Sequence, residues 1–227
     1  MMTPRKEAIL KYVVETYIRD AEPIGSKLMS ENAALEVSGA TLRNEMRELE
    51  EEGLLTHPHT SSGRIPTEKG YRYYIEHLMK PEIIAKRTAE KIAHSLREYR
   101  DREQKLKMFA RIVSELCGSA VVISFEKNSL YYTGISHFFA QPEFQDYEFT
   151  VTMSGMFDSF EDLIPELYDG YIGTDPHIVI GSESPFGHMS GVVGGRLKGE
   201  EFFAILGPLR MRYNRAISLI TYGRDLL

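Results

Sequence analysis

Residues 38–74 read SGATLRNEMRELEEEGLLTHPHTSSGRIPTEKGYRYY. Ser38 stands where a helix N-cap belongs, and Leu42, Met46 and Leu49 recur at helical spacing, so a helix is expected over 39–52. Gly53 ends it. Leu54 and Leu55 then form a short apolar strand, a loop of small hydroxylated residues follows, and a second short strand ends at Pro66. Thr67 caps a further helix that carries Tyr71, Tyr74, Ile75, Leu78 and Met79 along one side.

Upstream, the apolar pairs Ile9/Leu10, Val13/Val14 and Tyr17/Ile18 give residues 4–20 a helical period with one buried face. The segment AEPIGS breaks it, and Ser26 caps a short second helix through about Asn32. EVSG is the next break. Three short helices followed by a two-stranded hairpin describe a winged helix-turn-helix, assigned to residues 1–80.

Downstream, Pro81 marks a boundary. Residues 81–117 read as a helical linker whose apolar spacing is interrupted by RDREQK, giving two helical pieces or one helix with a solvated middle. After Cys117 the texture changes. SAVVISF, SLYYTGIS, HIVIG, MSGVVGGRLKG and EEFFAILGP read as strands, FEDLIPELYDG as a short amphipathic helix and YNRAISLITYGRDLL as a closing helix. Residues 118–227 are therefore expected to form a small α+β domain, and the whole chain an α+β protein.

Composition narrows the function classes. The chain has 227 residues, 42% of them hydrophobic, enough for one or two cored domains. Its apolar runs are strand-length, so no membrane-spanning helix is expected. The N-terminus lacks a secretory apolar region, and a lone cysteine excludes an intramolecular disulfide; both fit a reducing, cytoplasmic setting. The net charge is −6. It is unevenly spread: residues 86–107 carry an excess of four positive charges, and residues 112–227 an excess of eight negative ones. A local basic surface can therefore sit on an acidic chain.

Setting Leu42 inward turns Ala40, Arg43, Asn44 and Arg47 to the opposite side of the 39–52 helix. That is a base-reading set: Arg for guanine, Asn for adenine, Ala against a thymine methyl. Ser38 and Thr41, at the helix N-terminus, suit phosphates, and Ser26 and Lys27 open the helix before it. Glu48, Glu50, Glu51 and Glu52 crowd the other half and must point away from DNA. In the hairpin loop, His59, Thr60, Ser61, Ser62 and Gly63 are small or polar and Arg64 adds charge, as a wing tip near a DNA backbone requires. Lys69 and Arg72 extend the positive charge along the next helix.

The text of ETYIRDAEPIGSKLM and of SGATLRNEMRELEEEGLLTHPHTSSGRIPTEKGYRYYIEHLM closely resembles the HrcA heat-inducible transcription repressors, almost without interruption over residues 5–80. LYYTGISHFFAQPEF and GPLRMRYNRAISLITYGRDLL resemble the C-terminal region of the same family. The resemblance implies a homodimeric repressor of chaperone genes on an inverted-repeat (CIRCE) operator in double-stranded DNA. It further implies promotion of the active form by the GroEL chaperonin, and a GAF-like C-terminal domain. Here SAVVISF runs almost directly into SLYYTGI, where the family carries further strands and an inserted dimerisation domain, so the GAF-like domain is expected in reduced form. With that insert absent, apolar contact between subunits is expected from Leu106, Phe109, Val113 and Leu116, and from the aromatic-rich 138–160 segment.

Other readings have thinner support. His57, His59, His77 and Cys117 match no standard zinc spacing, so no metal or other cofactor is expected. Asp158, Glu161, Asp162, Glu166 and Asp169 form a solvated helical face rather than an acid/base pair, and Cys117 with distant His94 and His137 lacks a nucleophile's setting. No enzyme is expected. A ligand-sensing regulator is the alternative, through the aromatics Phe138, Phe139, Phe144, Tyr147, Phe149, Phe157 and Phe160; such density favours a core or a subunit interface, and the interface is preferred.

Overall fold

The structure, a computed structural model, describes residues 2–30, 38–59, 62–126, 129–158, 160, 162, 175–198 and 201–227. The chain divides into two compact units, Met1–Lys80 and Pro81–Leu227.

In the first unit, α1 (Pro4–Asp20) begins where Thr3 Oγ1 accepts the Lys6 amide and Pro4 supplies the first helical turn. It buries Ile9, Leu10, Val13 and Val14. It ends at Ala21, which takes a left-handed conformation (φ 57°). Helix α2 (Ser26–Ser30) contributes Met29 to the core, and α3 (Gly39–Glu51) contributes Leu42, Met46 and Leu49. The chain then turns at Gly53 (φ 73°) into a minimal antiparallel hairpin, β1 (Leu55–Thr56) and β2 (Ile65–Pro66). Ile24 and Arg64 exchange both backbone hydrogen bonds at 2.9 Å, adding a third rung beside β2.

Helix α4 (Glu68–Tyr73) starts at Thr67, whose hydroxyl accepts the Gly70 amide, and runs on as a π-helical turn over Tyr74–Leu78. Its tyrosines clasp α1: the Tyr73 hydroxyl donates to Glu7 at 2.8 Å and the Tyr74 hydroxyl to Glu15 at 3.2 Å. A Cβ at Gly70 would lie 2.1 Å from the Leu54 carbonyl oxygen, so only glycine lets α4 approach the hairpin this closely. The second helix was expected to reach Asn32; residues 31–37 lie outside the described residues.

The second unit mixes helices with a five-stranded antiparallel sheet. Helices α5 (Lys86–Arg97) and α6 (Arg102–Cys117) precede β3 (Ala120–Glu126) and β4 (Ser129–Thr133). Two further helices, α7 (Ile135–Phe139) and α8 (Tyr147–Asp158), lead to β5 (His177–Ile180), β6 (Ser190–Arg196), β7 (Phe202–Pro208) and α9 (Tyr213–Leu226). The strand order is β4-β3-β7-β6-β5, and β3 and β4 are direct antiparallel neighbours with Val121 opposite Thr133. The helix expected over FEDLIPELYDG falls almost wholly outside the described residues.

Alternation along the strands divides two apolar layers. Ala120, Val122, Phe202, Ala204 and Leu206 meet Phe138, Phe149, Met153 and Phe160 on one face. On the other, Phe203 packs against Phe109 of α6 (ring centroids 5.4 Å apart), and Gly195 admits Ile220 of α9.

This packing corrects two expectations. Residues 81–117 are not a free linker but part of the second unit, because α6 turns Leu106, Phe109, Ala110 and Val113 inward, all fully buried. Ser218 and Tyr222 of α9 also bond the carbonyls of Glu82 and Ala89. For the same reason Leu106, Phe109 and Val113 have no free apolar face to give a second subunit. The aromatics of 138–160 likewise fill a core: Phe138, Phe149 and Phe160 are buried, and Phe139, Phe144 and Phe157 pack against them. Tyr147 alone among the named aromatics is widely exposed (81%).

Candidate nucleic-acid interface

The outer side of α3 is built by what its inner side buries. With Leu42, Met46 and Leu49 fixed in the core, Ala40, Arg43, Asn44 and Arg47 are all exposed. Ser38 Oγ caps the helix by accepting the Thr41 amide at 3.2 Å and lies 3.0 Å from Thr41 Oγ1. Arg43 and Asn44 make no side-chain hydrogen bond or ion pair among the described residues. Arg47 has a loose partner in Glu51 at 3.6 Å, a solvent-exposed pair of little energetic weight.

Five acids lie within residues 39–52, and each is matched by a cation. Glu48 and Glu52 grip Lys6 at 2.8 and 2.9 Å. Glu45 faces Arg5 at 3.5 Å, Glu51 faces Arg47, and Glu50 holds Arg64 at 2.8 Å while also bonding His57 Nδ1. The hydrogen bonds it donates to Glu48 and then Glu52 hold the Lys6 ammonium well above its ordinary pKa, and the bond from Lys6 holds each carboxylate below its own. Negative charge is thus neutralised around the C-terminal half of α3, and the exposed, unpaired cation and amide stand on its N-terminal half.

The hairpin corrects the reading of the loop. Arg64 does not reach outward from a tip: its guanidinium is drawn onto Glu50, with the side chain only 25% exposed. Gly63 is required by contact within the fold, since a Cβ there would lie 2.5–2.7 Å from the backbone of Ile24. Ser62 closes a turn, its amide donating to the His59 carbonyl at 2.9 Å and its hydroxyl accepting the His59 amide at 3.1 Å. Lys69 donates to the Glu52 carbonyl at the end of α3 (2.8 Å), and Arg72 pairs with Glu68 one turn earlier (3.0 Å). These contacts join α3, the hairpin and α4 into one frame. His59 and Lys27 are exposed and Ser26 half-buried. Thr60 and Ser61 lie outside the described residues.

Sequence reasoning missed the scaffold role of Lys6, Glu50 and His57. One signal was available: Lys6 falls on the buried side of α1, four residues before Leu10 and seven before Val13. Glu50 and His57 gave no such signal, because their meeting depends on how the hairpin folds back on α3.

Among the described residues, no three histidine, cysteine or acidic side chains come together as a metal site. Nor is any helix there long and apolar enough to cross a membrane. Burial pushes the Cys117 thiol up to about 12, so it is protonated near neutrality and a poor nucleophile.

The family model described as "HrcA protein C terminal domain" matches residues 77–217. Relatives named "Heat-inducible transcription repressor HrcA" include one from Bifidobacterium animalis subsp. lactis, 45% identical over 124 residues, or 55% of this chain and 34% of that protein. A second, from Halalkalibacterium halodurans, is 44% identical over 118 residues, 51% of this chain and 34% of its own. A third, from Synechococcus elongatus, is 42% identical over 126 residues, 55% of this chain and 36% of its own. The chain thus spans about a third of the length of these relatives. A solved structure described as a hypothetical protein shares the fold over the full length of both chains, with a TM-score of 0.73 at 18% identity.

Proposed function

The chain belongs to the HrcA family, and from that premise we propose that it is a sequence-specific DNA-binding repressor of chaperone genes. In this reading the first unit is a winged helix-turn-helix. Arg43 and Asn44 read base edges with Ala40 and Arg47 beside them. Ser26, Lys27, Ser38 and Thr41 meet phosphates, as does the hairpin loop from His59 to Ser62. Arg64, Lys69 and Arg72 hold the hairpin and α4 against α3, and Gly63 permits the close packing. The second unit is a reduced GAF-like regulatory domain, and the protein works in the cytoplasm as a homodimer on an inverted repeat, with the GroEL chaperonin promoting its active form.

One observation carries the DNA assignment: all five acids of residues 39–52 are matched internally, while Arg43 and Asn44 are exposed with no side-chain partner among the described residues. A merely solvated helix face has no need of that segregation. The test is fluorescence anisotropy of the purified chain on a CIRCE-type inverted repeat and on a scrambled duplex. Preference for the repeat, lost in Arg43→Ala, is expected. Equal affinity for both duplexes at every salt concentration would contradict specific binding.

A further inference from the structure

At the corner between α5 and α6 the second unit holds a cavity of about 240 Å³. Its apolar floor includes Ala93, Leu96 and Leu226, and its polar wall is formed by Arg97, Arg100, Arg102 and Lys105. Leu227 completes the lining with its main-chain oxygen, and no acidic side chain is part of it. Arg102 is already engaged, clasping Glu201 at 2.6 and 3.0 Å and donating to the Leu227 main-chain oxygen. The side chains of Arg97, Arg100 and Lys105 have no hydrogen-bond or ion-pair partner among the described residues.

Basic side chains further along α6 differ. Lys107 pairs with Glu103 and lies over the rings of Phe125 and Tyr131, and Arg111 donates to the Tyr131 hydroxyl. The end of α5 accounts for one unpaired cation, since Arg97 in its last turn complements the helix dipole. It does not account for Arg100 and Lys105. Arg97 and Arg100, both exposed, and the half-buried Lys105 give this cavity a local positive potential that favours an anion.

We infer that this cavity binds a small phosphomonoester, with its phosphoryl group among Arg97, Arg100 and Lys105 and its apolar body on Leu96 and Leu226. Two planar guanidinium forks suit phosphoryl oxygens better than a single carboxylate. The cavity lies below the roughly 300–1,000 Å³ of sites for drug-sized ligands, so a compact ester fits better than a nucleotide. The site is independent of the DNA reading and uses a part of the basic 86–107 segment that reading leaves idle.

Isothermal titration calorimetry on the full chain, with n-butyl phosphate, inorganic phosphate and butyrate as probes, tests it without DNA. Butyl phosphate should bind best, with saturation at one site per chain. Arg100→Gln and Lys105→Gln should each weaken it on the order of tenfold, as expected for loss of a charge-assisted hydrogen bond. Both variants should melt like the parent chain, and Arg87→Gln, a basic residue outside the cavity, should leave binding unchanged. Butyrate binding as tightly as butyl phosphate would overturn the phosphate assignment. Undiminished binding in both cavity variants would overturn the site. Displacement of butyl phosphate by a random-sequence duplex, lost in Arg100→Gln, would reassign the phosphate to a nucleic-acid backbone and overturn the small-ligand claim.

Discussion

Arg43 is exposed and Arg64 is paired with Glu50, and in the proposed reading substitution separates a base contact from a scaffold contact. Arg43 is exposed and unpaired among the described residues, so Arg43→Ala should cost roughly 1–3 kcal/mol of specific DNA binding and leave the melting temperature unchanged. Asn44→Ala should behave alike. Arg64 is tied to Glu50, so Arg64→Ala should destabilise the fold by roughly 1–3 kcal/mol by leaving a partly buried carboxylate without that partner, with DNA binding lost alongside. Thermal unfolding and anisotropy on the same two proteins check the contrast. Gly63→Ala should be worse for the fold than its size suggests, because the methyl meets the Ile24 backbone rather than a side chain that could move. Sequence made the loop legible as a tight, glycine-dependent place but gave the wrong cause. Gly63 answers a neighbour thirty-nine positions away, and no local pattern encodes that.

At the scale of elements, α3 is held by charges as well as by its buried apolar stripe. Lys6 pins Glu48 and Glu52, and both carboxylates titrate below their ordinary value of 4.5 in the folded chain. Their stabilisation is therefore present above pH 4.5 and is lost as pH falls through the lower folded values. Urea unfolding midpoints should drop steeply below that point in the parent chain and less steeply in Lys6→Met. Helix α6 makes the complementary case for packing: Phe109→Ala should cost about 3–5 kcal/mol, a core value that urea titration would register. Caps and strand boundaries were legible locally: Ser38 and Thr67 cap the helices expected of them, and Pro66 closes β2. Which side α6 and the phenylalanines face was not, because a helical stripe reads the same whether it meets a sheet or a second subunit.

For the whole molecule, the claim is a two-fold repressor whose first unit reads DNA. An inverted-repeat site requires two recognition helices in successive major grooves, about 34 Å apart. Leu106, Phe109, Val113, Phe138, Phe149 and Phe160, nominated from sequence for the subunit contact, are buried within the second unit, so in the proposed dimer the contact would rest on other surface. Light scattering on the chain with and without operator should show a dimer at least on DNA. The most direct measurement is selection of bound duplexes from a random-sequence pool by the purified full chain, followed by sequencing. The account predicts enrichment of an inverted repeat whose half-site preference collapses in Arg43→Ala and Asn44→Ala. A pool that stays random, or an enriched site indifferent to both substitutions, would contradict it.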